Sequence, residues 1–256
     1  MLIGHFERSI FLLSAALACL VLASDAQGTS EQDKPLAIAD SLFAENDYAG
    51  SAEYYKKATD IDSANFDGFW KLGRSLNLIG ETSARDSQLA IFERARDAES
   101  RALAIDDGSA DAHFQMARAL GKIALFKGVF KSVGLAKRVK REAEMALAID
   151  SLHDGAWHIL GRWHREIGKK PKLLRGPLGL GEANREDAVK FMRRAISLNP
   201  KVINHHLEMG ITYREYGKTD LARTEFQECL ALPGRTPLDN KYKEEAKNYL
   251  AVMEGK

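Results

Sequence analysis

Three arginines recur at one interval: Arg74, Arg118 and Arg162 follow one another every 44 residues. A guanidinium grips a carboxylate through two parallel, charge-assisted hydrogen bonds, and its charge persists at every physiological pH. Three in register would form a row able to hold an acidic peptide or a terminal carboxylate. The same row has a second use. Each arginine can pair with an acidic residue of an adjacent helix and fasten the stack. Ile211 holds the next equivalent place, so the row ends at Arg162.

Other reactive side chains give weaker patterns. His113, His158, His164, His205 and His206 include no pair four apart, and no Cys-x-x-Cys is present, so no metal site is expected. His113 and His206 read as packing residues. Gly176-Pro177-Leu178-Gly179-Leu180-Gly181 is glycine-rich, but no strand precedes it and no Gly-Lys-Ser/Thr follows, which argues against a phosphate cradle. Gly-x-Ser-x-Gly and paired carboxylates are missing too. The expectation is a protein without catalysis and without a cofactor. Two basic runs, Lys137-Arg138 with Lys140-Arg141, and Lys169-Lys170 with Lys172 and Arg175, read as solvated; the second lies on a loop that could touch an anionic surface.

The arginines share their interval with a larger block. Ala58-Thr59-Asp60-Ile61-Asp62-Ser63 returns as Ala102-Leu103-Ala104-Ile105-Asp106-Asp107 and as Ala146-Leu147-Ala148-Ile149-Asp150-Ser151. Looser copies begin at Ala195 and Cys229. Each block ends one helix shortly before another, and the helices that follow carry an apolar stripe at i, i+3, i+4, i+7. These are Phe69–Leu76, His113–Leu120, Trp157–His164 and His206–Tyr213, with Gly73, Ala117, Gly161 and Gly210 as small contact residues. Asp67 and Asp111 are placed to cap their helices. Self-similarity at this period predicts an all-α solenoid in which each unit covers its neighbour's apolar face.

The pattern resembles the tetratricopeptide repeat (TPR). Tyr48, Ser51, Tyr55 and Ala58 match its second helix; Trp157, Leu160, Gly161, then Ala188, Met192, Ala195 and Pro200 match a whole unit, as do Met209-Gly210, Tyr213, Gly217, Ala222, Phe226, Cys229 and Pro233. The predicted fold is a TPR-like α-solenoid of about five helical hairpins over residues 27–235. Its units lie near 32–65, 66–109, 110–153, 154–201 and 202–235, and 236–256 forms a capping helix. The middle units exceed the ordinary 34 residues. HEAT or armadillo repeats compete on length, but the helix spacings fit the TPR, and the excess falls between the two helices of a unit. It includes the apolar stretch Ile123–Val133, expected to lengthen its helix, and the loop Lys169–Glu182. By resemblance, the arginine position lines the concave groove of the solenoid. The candidate partner-binding residues are Arg74, Arg118 and Arg162 with Trp70, Phe114, His158 and Arg165.

A narrower resemblance adds to this one. Lengthened TPR-like units, Trp157-x-x-Leu160-Gly161-Arg162-Trp163, the Gly-rich loop, the Ala188…Ala195 helix and Leu232-Pro233 together are similar to the regulator of microtubule dynamics family. That likeness implies ancestry and fold; it also implies association with microtubules and, for some members, a membrane anchor.

The chain's 256 residues include Ile10–Ala23, an apolar run of 14 preceded by Arg8 and followed by Ser24-Asp25-Ala26. This order is that of a secretory signal at 1–26, and the run is short beside the roughly 20 residues of a membrane span. The alternatives are an uncleaved anchor or lipidation at Cys19, where Ala16-Leu17-Ala18 is a poor lipidation box. Removal of the signal leaves Cys229 as a lone, small buried thiol, so no disulfide framework is available. Charge is balanced, 37 basic against 36 acidic residues, which gives no footprint for nucleic acid. The sequence therefore predicts an exported scaffold, periplasmic or secreted, for a protein or peptide partner, acidic if the arginines face it. Membrane contact would run through the N-terminus or Ile123–Val133. Tubulin enters only under the alternative, a microtubule- or membrane-associated regulator kept in place by an uncleaved anchor.

Overall fold

The computed structural model describes residues 33–128 and 131–255, so the proposed signal segment lies outside them. Twelve helices and no strand occur among the described residues. They are α1 (Asp33–Ala44), α2 (Tyr48–Ile61), α3 (Phe66–Thr82), α4 (Arg85–Ile105), α5 (Ala110–Lys127), α6 (Val133–Ile149), α7 (Asp154–Gly168), the single turn α8 (Lys172–Arg175), α9 (Arg185–Leu198), α10 (Ile203–Glu215), α11 (Thr219–Ala231) and α12 (Pro237–Met253). Successive helices pair as α1/α2, α3/α4, α5/α6, α7/α9 and α10/α11, which makes five hairpins, and α12 follows. The first helices of the pairs line up as a row, α3 against α5, α5 against α7 and α7 against α10. No described helix is long and apolar enough to cross a membrane.

The recurring block explains the regularity. Its first alanine is fully packed at each copy: Ala58, Ala102, Ala146 and Ala195 are buried, and Cys229 fills the fifth place. Burial pushes that thiol up to about 12, so it stays a small apolar filler. The aspartate that follows ends the helix. Asp62, Asp106 and Asp150 each donate their N–H to that alanine's carbonyl. Their carboxylates then accept the N–H two residues on, at 2.8–2.9 Å. This turn satisfies backbone groups that the helix end leaves open.

The helix starts correct one expectation. Asn65 and Ser109, not Asp67 and Asp111, cap α3 and α5; the two aspartates lie in the first turn, where they face the positive end of the helix dipole. His113 and His206 do hold equivalent places, both buried. Each meets a carbonyl of the preceding connection, Asp107 or Pro200, and a glutamate of its unit's second helix, Glu142 or Glu225.

Close approach inside the hairpins depends on small residues. At Gly161 a Cβ would stand 3.1 Å from Met192 N and 3.2 Å from Ala188 O, backbone that cannot step aside. At Gly210 it would meet the Phe226 ring at 2.5 Å. The extra length of the middle units is spent in two ways. In the second and third units it lengthens helices: α4 spans 21 residues, and α5 runs on through Ile123 and Ala124, both buried, to Lys127. Only in the fourth unit does it form a connection, 169–184, which contains α8. The stretch Ile123–Val133 lengthens α5 only as far as Lys127: Gly128, at φ +82°, ends the helix, residues 129 and 130 lie outside the description, and Val133 begins α6.

Helix α12 opens with a capping box, Thr236 and Asp239 exchanging bonds with Pro237 at the first helical position. Its Leu238, Tyr242 and Ala246 close the core formed by α10 and α11. It also reaches back to α3, and Leu78 of α3 packs against the same core.

Candidate functional site

The row of first helices carries the three arginines, and each is already engaged. Arg118 on α5 holds Glu81 of α3, with Nη2 2.7 Å and Nε 2.9 Å from Oε1. Arg162 on α7 turns the other way, its Nε 3.2 Å from Oε1 of Glu208 on α10. Arg165 completes that cluster: Nη2 lies 2.7 Å from Glu208 Oε2, and Nη1 donates to Glu208 O and to Thr212 Oγ1. Arg74 on α3 stacks 3.6 Å over the Phe43 ring and 4.9 Å from the Trp70 ring, and Nη2 donates to Tyr55 Oη. Of the two uses open to the row, these are the contacts of fastening. Arg118 ties the third unit to the second, and Arg162 ties the fourth to the fifth.

Glu81 is the hub of the groove. Besides Arg118 it accepts from Lys122 Nζ at 3.1 Å and from Tyr242 Oη at 2.9 Å, and its backbone carbonyl accepts from Lys241 Nζ. Burial alone would raise its carboxyl; Lys122 first and Arg118 next hold it far below the usual range. Glu208 behaves alike, its burial overcome by Arg162 and Arg165, which bring it down to about 2. The contact between Tyr242 and Glu81 spans 161 positions of sequence and lays α12 across the groove.

Beneath α12 lies a cavity of about 300 Å³. Phe114, Ile159, Trp163 and Leu238 supply apolar wall, and Gly121 leaves its floor open, for a Cβ there would meet nothing within 4 Å. Charged groups in its lining are mixed: Arg118, Lys122 and Arg162 with Glu81, Asp154, Glu166 and Asp239. His158 also lines it. Its Nδ1 lies 2.8 Å from His205 Nδ1, and His205 Nε2 lies 2.7 Å from Asp154 Oδ2. Burial, then the neighbouring His205, pushes His158 well below its ordinary value, so the ring is neutral. No group of three or more His, Cys, Asp or Glu placed to hold a metal ion occurs among the described residues.

Of the seven residues singled out in the sequence, Phe114, Arg118, His158 and Arg162 border this cavity. Arg165 is buried and does not line it, and Arg74 with Trp70 lies one unit away against α1. Sequence reasoning missed Glu81, Glu208, Lys122 and Tyr242. The one signal for Glu81 was a carboxylate directly after the run Leu78-Ile79-Gly80.

Five stacked hairpins around a groove of mixed apolar and charged lining define a TPR-like helical-repeat protein. The sequence matches the regulator of microtubule dynamics protein 1-3 family over residues 35–254, and the chain belongs to that family. It is 24% identical to regulator of microtubule dynamics protein 1 of Bos taurus over 271 aligned positions, 96% of this chain and 83% of that one. Among solved structures, the fold is similar to TTC0263, a TPR protein of Thermus thermophilus, with a TM-score of 0.60 at 14% identity, covering 86% of this chain and 98% of that one. It is similar also to MamA (41-end) of Desulfovibrio magneticus RS-1, at 0.51 and 16%, covering 80% and 96%. At these identities the solved structures speak for the fold alone.

Proposed function

We propose that this chain is an exported, non-catalytic scaffold that holds a protein partner in its groove. The observation that carries the reading is the cavity of about 300 Å³ between the row of first helices and α12. An apolar pocket set in a groove is how helical grooves receive an amphipathic segment, with anchor side chains entering the pocket. The mixed charge of the lining favours a partner with both charges over a purely acidic one. The polar groups at the cavity bond one another, His158 to His205 and His205 to Asp154, which suits a recognition surface better than a reaction centre.

Gly121→Phe tests the groove. A Cβ at Gly121 meets nothing within 4 Å, so the new ring is directed into the cavity that Gly121 lines, and replacing a mid-helix glycine favours the helix. Protein made in its own host should co-purify with its partner, and the variant should lose that partner while melting at or above the parent's temperature. Retention of the same partner by the folded variant would remove the cavity from the reading. Export rests on Arg8, Ile10–Ala23 and Ser24-Asp25-Ala26. N-terminal sequencing of that material should begin near Gln27; intact Met1 in the cytosolic fraction would overturn export.

Family membership favours a second reading, a microtubule- or membrane-associated regulator with an uncleaved anchor. Co-sedimentation of the purified chain with polymerised tubulin decides it: protein in the pellet supports this reading, and protein left in the supernatant at excess polymer rejects it.

A further inference from the structure

The connection 169–184 departs from the rest of the surface. Leu173 and Leu174 are adjacent on α8 and 85% and 60% exposed, and Leu178, further along the same connection, is 37% exposed. Single exposed leucines are ordinary, but three on one connection are not. The loop is firmly based. Arg175 is buried and donates from Nε to Lys170 O and from Nη1 to Leu180 O and Gly181 O. Leu180 is fully buried in the core of the third and fourth units. The base therefore fixes which residues face inward, and Leu173, Leu174 and Leu178 face water as a consequence.

Cations surround this tip. Lys170 and Lys172 are exposed on the loop, and Lys137 of α6 crosses it at Gly179, where a Cβ would stand 2.9 Å from Lys137 Nζ. Gly179 has φ +71°, so glycine suits both the turn and the crossing lysine. None of these three lysines has an ion-pair partner among the described residues, whereas Lys169 is held by Glu166 and Glu215. The loop's acidic residue, Glu182, pairs with Lys140 at 3.3 Å.

We propose that this loop is a membrane-surface anchor for bilayers carrying anionic lipid. Leu173, Leu174 and Leu178 enter the boundary between headgroups and acyl chains, and Lys137, Lys170 and Lys172 lie over the headgroups. Apolar burial joined to attraction for anionic lipid is the ordinary basis of such peripheral binding. Each lysine near the surface is worth roughly a fivefold change in partition. The proposal does not rest on the groove.

The test places a reporter at the tip, so that the apolar run Ile10–Ala23 cannot mimic the result. Leu174→Trp adds an indole to the full chain, and its contribution is the emission of the variant minus that of the parent. The probes are vesicles of phosphatidylcholine alone, vesicles with three parts in ten phosphatidylglycerol, and the latter with brominated acyl chains. The added indole should shift to the blue and be quenched only with the anionic vesicles. Lys170→Glu with Lys172→Glu should weaken that partition at least tenfold. An indole unmoved by excess anionic vesicles overturns the proposal. A shift that depends on protein concentration without vesicles assigns the leucines to a second copy and overturns it as well.

Discussion

Glu81 and Glu99 sit in the two helices of one hairpin, both buried, and they have opposite fates. Glu81 on α3 faces the groove and has Arg118, Lys122 and Tyr242 around its carboxylate. Glu99 on α4 faces the inside of the hairpin, against the bare backbone of Gly73, and neither oxygen has a hydrogen-bond partner among the described residues. Burial pushes Glu99 well above the ordinary 4.5, with only the more distant charge of Arg74 opposing it. Glu99 therefore stays protonated where Glu81 is an anion. Burial does not decide the charge of a carboxyl; the company it keeps does. The groove side of this repeat is built as an ionic network, and the inside of the hairpin as a neutral, close-packed seam.

The contrast breaks hardest at Glu81. Glu81→Ala strands Arg118 and Lys122 in a largely buried place, which costs about 3–5 kcal/mol for a pair of this kind. Urea unfolding should show it, and a loss below 1 kcal/mol would mean that water solvates the cluster. Glu99→Gln tests the other side. A carboxyl raised on folding stays protonated in the native chain while the unfolded chain ionises above pH 4.5. Stability should thus fall by about 1.4 kcal/mol per pH unit above 4.5, up to the native value, and only in the parent. Parent and variant should converge near pH 4 and separate toward pH 7; a gap that ignores pH would show that Glu99 is charged in the fold. Glu81 and Glu208 run in the opposite direction. Both are depressed, so their contribution is complete above about 4.5 and is lost as pH falls toward 2. The smallest change is Tyr242→Phe, which removes one hydroxyl from Glu81 at about 1.5 kcal/mol. Faster hydrogen exchange should appear in α12 and leave α1 and α2 unchanged.

The five hairpins were legible because their signal repeats. A buried alanine with a helix-ending aspartate at a constant step marks the first units, and the arginines inherit that register. The partners of the arginines do not repeat. Glu81 serves Arg118 from the preceding unit, and Glu208 serves Arg162 from the following one, so no shared spacing announces them. Helix α12 reads as an amphipathic end piece, and periodicity cannot show that one face also returns to α3. The capping of α3 and α5 was misread because Asn65 and Asp67, like Ser109 and Asp111, are polar residues two apart, and either could have turned toward the first amides. Of the apolar stretch Ile123–Val133, only Ile123–Lys127 continued α5, which Gly128 ends, and the loop reading of Lys169–Glu182 did not single out Leu173 and Leu174.

The link between α12 and α3 changes how such a chain should fold. A solenoid is ordinarily a string of neighbours, able to start at any unit and to fray from either end, because its contacts are local. Here Lys241 and Tyr242 return to Glu81 across 160 and 161 positions. Closing that loop carries an entropic cost that a simple repeat array never meets, and it can form only once the units between are in register. It belongs late on the route to the native state, and afterwards the last helix can no longer peel away without the second unit registering its loss.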